Sequence, residues 1–297
     1  MKIRSIIFPA FVFVFWFGQV NSQIRDELIS NLQILSSEEM GGRLPGTKGH
    51  LKAREFIITR YKQIGLTPFG GEFDQEFSFQ AGDLKLIGHN ILGSVMGKTD
   101  KVMVISAHYD HLGKRNGNIY FGADDNASGV AALLYIAQYF KQHQPNHTLI
   151  FAAFDAEELG LQGARYFVST LKPESVALNI NMDMISRNDK NEIYVSGATH
   201  YPQLKPVLNR VNEQNNTVTL KQGHDRKNTG PEDWTYQSDH GEFHKEGIPF
   251  VYFGVEDHSD YHRHTDTFDK IDTAFYYDVV KMILDFTKEI DLQTIEK

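Results

Sequence analysis

Cysteine is absent from this sequence of 297 residues, and its absence removes three kinds of chemistry. Without cysteine the chain forms no disulfide, builds no thiolate metal site and has no cysteine nucleophile. Basic residues are in the minority, because 30 Lys and Arg residues face 38 Asp and Glu residues and leave a formal net charge of −8. An acidic surface of this kind argues against binding to nucleic acid.

The sequence also lacks internal repeats, low-complexity tracts and linkers rich in Pro, Gly or Ser that would divide it. Its beginning is different: Lys2 and Arg4 precede an apolar stretch over residues 6–17, and the tripeptide VNS that ends at residue 22 resembles a cleavage site. Residues 1–22 are therefore predicted to be a removed signal peptide. The apolar stretch is much shorter than the roughly 20 residues of a spanning helix, so we expect no stable membrane anchor after cleavage.

The remaining chain, residues 23–297, is predicted to be one domain of a secreted or periplasmic protein. Residues 48–64 have apolar side chains near helical spacing, and Gly65 follows where a helix would end. A second helix is predicted to begin near Ser128. Short apolar runs recur as strand candidates, several of them with helical patterns in between: NILGSV, KVMVISA, TLIFAAF, VALNINM, EIYVSG and IPFVYFGV. This alternation predicts an α/β fold with a largely parallel sheet.

Acidic and histidine residues follow several of these predicted strands. His108 and Asp110 come after VMVISA, the segment DAEE (155–158) follows TLIFAAF, Asp183 follows VALNINM, and His262 lies beyond IPFVYFGV. Because ligands collect at the carboxyl ends of strands in such sheets, we expect these side chains to meet. The segment GADDNASG (122–129) places further carboxylates just before a predicted helix.

Each of these motifs alone has a structural alternative. The pair Glu157 and Glu158 suits a helix N-terminus capped by Asp155, and the HxD pair of His108 and Asp110 is most often a surface feature. Together the motifs favour a metal centre, because clustered buried carboxylates repel one another unless cations neutralise them. In that case one of the adjacent glutamates can bind metal while the other moves a proton.

The chain resembles the di-zinc exopeptidases typified by secreted bacterial leucyl aminopeptidases, which are related to glutamate carboxypeptidase and glutaminyl cyclase. The resemblance spans most of residues 23–297 and rests on these motifs in this order: GGRLPGTKGHLKAREFI, SAHYDHLG, GADDNASG, FDAEELGLQGA, NINMDMI, SDHGEFHKEGIPF and DYHRHTDTFDKID. It implies a three-layer α/β/α sandwich with a mixed, largely parallel central sheet. It also implies two zinc ions per chain, with cobalt or manganese as possible substitutes.

Residue roles follow from the resemblance position by position. It implies that Asp125 bridges two zinc ions, that His108 and Asp183 complete one site, and that Glu158 and His262 complete the other. Glu157 would be the general base, Asp110 would orient His108, and Tyr261 would steady the oxyanion. The choice of His262 over His258 and His264 rests on the family pattern, which has a histidine four residues before the Asp266-Thr267 pair.

The predicted function is hydrolysis of the N-terminal peptide bond of peptides with a free N-terminus, with a metal-bridged water as the nucleophile. A glutaminyl cyclase-like acyltransferase is the nearest alternative. Such relatives typically work with a single zinc ion, so the presence of both His108 and Asp183 favours hydrolysis. A dipeptidase or carboxypeptidase on the same scaffold and a non-catalytic binding module are further alternatives, and the sequence favours no oligomeric state.

Overall fold

The computed structural model describes residues 24–226 and 229–295. The predicted signal peptide, residues 1–22, lies outside them. Within the described residues, no helix is both long enough and apolar enough to span a lipid bilayer.

A nine-stranded mixed sheet is the centre of the fold. Its strands are β1 (Thr67–Pro68), β2 (Asp74–Ala81), β3 (Leu84–Val95), β4 (Val102–His108), β7 (Thr148–Phe154), β8 (Val176–Met182), β9 (Glu192–Ser196), β10 (Thr219–Gln222) and β11 (Phe250–Gly254), while β5 (Lys114–Arg115) and β6 (Asn118–Ile119) form a separate pair. The order across the large sheet is β1-β3-β7-β4-β8-β11-β9-β10, with β2 also paired to β3. The four central strands β7, β4, β8 and β11 run parallel to one another. Antiparallel pairs flank them on both sides.

Helices cover both faces of this sheet. Residues 24–35 are helical (α1), and the later helices are α2 (Lys48–Ile64), α3 (Gly129–Gln142), α4 (Gln162–Ser169), α5 (Lys205–Gln214), α6 (His240–Lys245) and α7 (Thr273–Asp291). One hydrophobic core joins α1, α2, α3, α5 and α7 to one face of the sheet. The opposite core joins α4 and α6 to the other face. This arrangement is the predicted three-layer α/β/α sandwich with a mixed sheet.

The boundaries of the elements follow from local chemistry. The two predicted helices are α2, which ends where Gly65 takes a left-handed φ of 84°, and α3, whose apolar side chains are buried. The runs TLIFAAF and VALNINM coincide with β7 and β8, and apart from the half-buried Thr148 every residue of these strands is buried. Strands buried on both faces need continuous apolar sequence, which is why these runs could be recognised. The parallel orientation of the four central strands then brings their carboxyl ends to one edge.

Candidate metal centre

The predicted site residues meet at the edge where the four central strands end. His108 is the last residue of β4, Asp183 directly follows β8, and Glu157 and Glu158 lie in the turn after β7. Asp125 comes from the turn Ala123–Ser128, which leads into α3. The proposed helix cap at Asp155 is wrong, because α4 begins only at Gln162 and the Asp155 carboxylate instead contacts Nε2 of His50 at 2.8 Å.

One group of donor atoms is formed by His108, Asp125 and Asp183, all of which are buried. Nε2 of His108 lies 3.3 Å from Oδ1 of Asp125 and 3.3 Å from Oδ1 of Asp183. Burial alone would lower the pKa of His108, but the surrounding carboxylates of Asp183, Glu157, Asp110 and Asp125 outweigh it and raise that pKa well above its ordinary value. The three donors therefore share one strongly negative environment.

A second group lies on the other side of the Asp125 carboxylate. Nε2 of His262 is 3.1 Å from Oδ2 of Asp125 and 3.3 Å from Oε2 of Glu158. Burial opposes a charge on His262, yet the adjacent carboxylates of Asp125 and Glu158 raise its pKa to about 10. Asp125 thus presents Oδ1 to one group and Oδ2 to the other, which is the arrangement of a bridging ligand.

The donor set fits zinc. Donors on one tetrahedral zinc ion, each about 2.0 Å from the metal, lie about 3.3 Å apart, close to the separations seen in both groups. In addition, Oδ2 of Asp125 and Oε1 of Glu158 are buried without a hydrogen-bond partner. Buried polar atoms of this kind are normally satisfied, and a cation between the donors would satisfy them. The imidazole and carboxylate ligands are those that catalytic zinc sites use.

The two adjacent glutamates lie in different environments. Glu158 contacts His262, whereas the Glu157 carboxylate is in neither donor group of the described residues. Burial is the main cause that raises the pKa of Glu157 well above its ordinary value, and the nearby charges of Asp183, Asp239 and Glu158 add to it against the opposing effect of His108. A carboxyl group in such an environment is suited to accepting and returning a proton.

Asp110 fixes the turn that carries both glutamates. Its Oδ1 accepts the backbone N–H of Glu157 at 3.0 Å, and its Oδ2 accepts that of Glu158 at 3.3 Å. The distance from Oδ1 to Nδ1 of His108 is longer, at 3.6 Å, and the same ring nitrogen lies 3.3 Å from the backbone carbonyl of Asp110. The shorter contacts of the Asp110 side chain are therefore those to the two glutamates. The orientation of His108 by Asp110 stays a prediction.

The competing histidines occupy other positions. Nε2 of His258 lies 3.1 Å from Oδ2 of Asp124, and His264 packs edge-on against Tyr120. His262 is brought to the donor groups by a left-handed backbone, with φ of 53°. Ala156 and Met184, in the turns after β7 and β8, also have positive φ, of 56° and 60°.

Four further residues support the site: Arg43, Asp266, His111 and Asp239. Arg43 is fully buried and donates hydrogen bonds to five backbone carbonyls, among them those of Tyr109 at 2.7 Å, Gly122 at 2.9 Å and Asp125 at 3.4 Å. Asp266 accepts the backbone N–H groups of Asp124 and Asp125. Arg43 and Asp239 lie within quoted motifs, GGRLPG and SDHGEF, but nothing in either motif identifies its partners.

Asp239 lies beside the site with neither carboxylate oxygen hydrogen-bonded, although the residue is fully buried. Burial is the main cause that raises its pKa well above the ordinary value, with His108 opposing and Asp183 adding to the shift. The Asp239 carboxylate in turn adds to the raised pKa of Glu157.

A cavity of about 300 Å³ opens onto these groups. Its floor includes Asp125, Glu157, Glu158, Asp183 and His262. Tyr261 also lines it, with its ring stacked on that of His262 at a centroid distance of 3.9 Å. The remaining lining residues, most of them aromatic or apolar, are Gly160, Leu161, Met184, Trp234, Tyr236, Gln237, Tyr252, Val255 and Asp257.

A mixed sheet covered by helices, with buried imidazole and carboxylate donors at its carboxyl edge, defines a protein of the zinc-dependent exopeptidase fold. Residues 90–287 match the model of Peptidase family M28, and the chain belongs to this family of zinc peptidases. The resemblance inferred from the sequence motifs is thereby confirmed, and the implied fold with it. The ligand and catalytic roles of the individual residues stay predictions.

Similar proteins include both aminopeptidases and glutaminyl cyclases. The chain is 31% identical to aminopeptidase YwaD of Bacillus subtilis over 172 residues, which is 55% of this chain and 35% of that protein. The chain thus spans about a third of the length of that relative. Two solved structures share the fold: an aminopeptidase from Aneurinibacillus sp. (TM-score 0.71, 16% identity, 89% of this chain and 93% of that one) and glutaminyl cyclase from Porphyromonas gingivalis (TM-score 0.74, 20% identity, 90% and 98%).

Proposed function

We propose that the protein is an aminopeptidase that holds two zinc ions and hydrolyses the N-terminal peptide bond of peptides. The observation that carries this proposal is the Asp125 carboxylate, which faces one donor group with Oδ1 and the other with Oδ2. Glu157 lies beside both groups without belonging to either, so it is free for proton transfer. The similarity to a Bacillus subtilis aminopeptidase supports the same class of substrate.

Zinc ions bound by these residues would polarise the substrate carbonyl and lower the pKa of a water molecule towards about 7. His108 and Asp183 would hold one ion, Glu158 and His262 the other, and Asp125 would contact both. The Glu157 carboxylate accepts the proton of the attacking water and returns it to the departing amine, so that one side chain serves as base and then as acid.

The other residues of the cavity bind and orient the substrate. Burial is the main cause that raises the pKa of Tyr261 far above its ordinary value, so its hydroxyl keeps its proton and donates a hydrogen bond to the developing oxyanion. Asp257 lies in the cavity wall and places negative charge where a free α-ammonium group enters. Trp234, Tyr236 and Tyr252 then receive the side chain of the first residue.

A second candidate is glutaminyl cyclase-like acyl transfer, in which the α-amine of an N-terminal glutamine attacks its own side-chain amide. The shared fold with the Porphyromonas gingivalis glutaminyl cyclase, over 98% of that chain, favours this candidate. The same Glu157 carboxyl could move the proton from the amine to the leaving ammonia. The two candidates differ in whether water or the substrate amine is the nucleophile.

One panel of substrates separates these functions. It contains chromogenic amides of single amino acids, the N-acetylated form of each, and a peptide with N-terminal glutamine. We expect release of the chromogen from the free aminoacyl amides only. Pyroglutamate formation without hydrolysis would instead establish the acyltransferase, and cleavage of the acetylated amides would exclude a requirement for a free N-terminus.

We further propose that the chain is exported and acts outside the cytoplasm, on the basis of residues 1–22 alone. Fractionation of expressing bacteria tests this proposal. The expected product is extracytoplasmic and begins at or near residue 23. A full-length cytoplasmic product would overturn it.

A further inference from the structure

His111 is the last residue of the HYDH motif and lies against the second donor group with no solvent exposure. Its backbone N–H donates to the carbonyl of Arg43 at 3.2 Å, while the Arg43 guanidinium holds the carbonyls of Gly122 and Asp125. Gly122 packs on the ring so closely that a Cβ at this position would lie 2.6 Å from Cδ2 of His111. The turn is therefore shaped around the imidazole, and the ring has a fixed position.

The ring nitrogen Nδ1 of His111 faces the same carboxylates as His262 does. It lies 2.8 Å from Oε1 of Glu158 and 3.7 Å from Oδ2 of Asp125. Nevertheless Nδ1 of His111, Oε1 of Glu158 and Oδ2 of Asp125 are all buried without a hydrogen-bond partner. Nδ1 and Oε1 are close enough for a hydrogen bond, but the angles at these atoms are not those of one.

Three lone-pair atoms that converge without bonding to one another are the arrangement that a cation satisfies. Each of them would be costly to leave unpaired in the interior, most of all the charged oxygens. An imidazole nitrogen and two carboxylate oxygens are also a common donor set of protein zinc sites. His111, Asp125 and Glu158 meet the distance requirement for a shared metal ion.

We propose that His111 is a further metal ligand. Its Nδ1 binds the same ion as Asp125, Glu158 and His262. This inference rests on the proposed two-zinc function and adds a ligand to the five that the family resemblance implies. The two histidines of this ion differ in accessibility, because the side chain of His262 is 41% exposed and that of His111 is buried. His111 is thus the inner ligand of this ion, and His262 is the outer ligand at the cavity.

The proposal is tested by counting the imidazoles on zinc and by measuring zinc affinity. Zinc X-ray absorption of the fully loaded wild type should show three imidazoles for every two ions. In His111→Ala, competition with a chelator should show that the ion shared with Asp125, Glu158 and His262 is bound more than about 100-fold more weakly. Loss of a hydrogen bond behind a ligand typically costs only about 10–100-fold. Addition of free imidazole to His111→Gly should restore part of this affinity.

The control variant is His143→Ala. His143 is exposed, and its Nδ1 contacts the carbonyl of Tyr139, so this variant should bind both ions as the wild type does. Circular dichroism and thermal unfolding of the metal-free variants check that each one folds. Two imidazoles per two ions in the wild type would overturn the proposal and leave the proposed function intact. A wild type that binds fewer than two ions would instead overturn the proposed function.

Discussion

Replacement of Glu157 by glutamine should remove proton transfer and leave metal binding intact. The substitution keeps the size of the side chain, and the backbone of the turn is held by Asp110 rather than by the Glu157 carboxylate. That carboxylate belongs to neither donor group of the described residues, so both ions should remain bound in the variant. What disappears is the group that accepts the proton.

The loss in rate follows from this role. A positioned general base contributes about 10²–10⁴-fold, so kcat of Glu157→Gln should fall by at least about 100-fold while KM changes little. The loss corresponds to about 2.7–5.5 kcal/mol in the activation barrier. The pH profile is an independent test. The base is active only when deprotonated, so the wild-type rate should rise with pH through the pKa of Glu157, and this acid limb should be missing from the variant.

Glu158→Gln is the matched comparison at the adjacent position. Its carboxylate contacts His262 at 3.3 Å and His111 at 2.8 Å, so a neutral amide should weaken the second ion. The assay combines kinetics on an aminoacyl amide with elemental analysis of zinc in both variants. Equal zinc loss in the two variants would refute the division of roles between the glutamates, and normal activity in both would refute any catalytic role of the pair.

Three further predictions concern the ligands, the metal and a buried histidine. His262→Ala should lose almost all activity and bind the second ion more than about 100-fold more weakly, which is beyond the loss expected for a group behind a ligand. His258→Ala and His264→Ala should keep both ions, as elemental analysis and chelator competition would reveal. Chelation should abolish hydrolysis, and zinc or cobalt should restore it. In urea unfolding, zinc at about 1,000 times its dissociation constant should add about 4 kcal/mol to the free energy of unfolding. Burial lowers the pKa of His240 to about 3 in the folded protein, whereas an unfolded histidine has a pKa of about 6.5. As the pH falls below about 6.5, only the unfolded chain binds a proton at His240, so the folded state loses stability. Between pH 6.5 and pH 5 the metal-free wild type should therefore lose about 1.7 kcal/mol more of its free energy of unfolding than His240→Gln, and an equal loss would contradict that pKa.

The central part of the fold could be predicted because burial on both faces leaves a continuous apolar signal. The runs behind β7 and β8 were identified residue for residue on this basis. Strand β2 was missed, since DQEFSFQA is polar at most positions and only Phe77 and Phe79 are buried in it. The short strand β10 at the sheet edge has a single buried residue, Leu220, and carries even less signal.

Much of the site could be predicted because its donors directly follow those apolar runs. His108 and Asp183 adjoin β4 and β8, so their meeting point follows from the parallel order of the strands. The supporting residues could not be found in this way. Arg43 binds backbone carbonyls up to 82 positions away. Because every residue has a backbone carbonyl, such a hydrogen bond does not restrict the residue type of the partner. His111 has a neighbour in Glu158 only because two separate turns fold against each other.

The left-handed residues around the site have a consequence for protein engineering. Ala156, Met184 and His262 each hold a positive φ that an L-residue adopts at a cost of roughly 1–2 kcal/mol. Ala156 and Met184 lie in the turns that carry the two glutamates and Asp183, and His262 is itself a donor, so the direction of these side chains depends on the unusual backbone. The same residue types grafted onto the loops of another α/β protein, with ordinary φ values, would point elsewhere. A transplanted centre would therefore have to include the turns themselves, and glycine or asparagine at positions 156 and 184 would be the natural choice for making those turns easier to form in a new host.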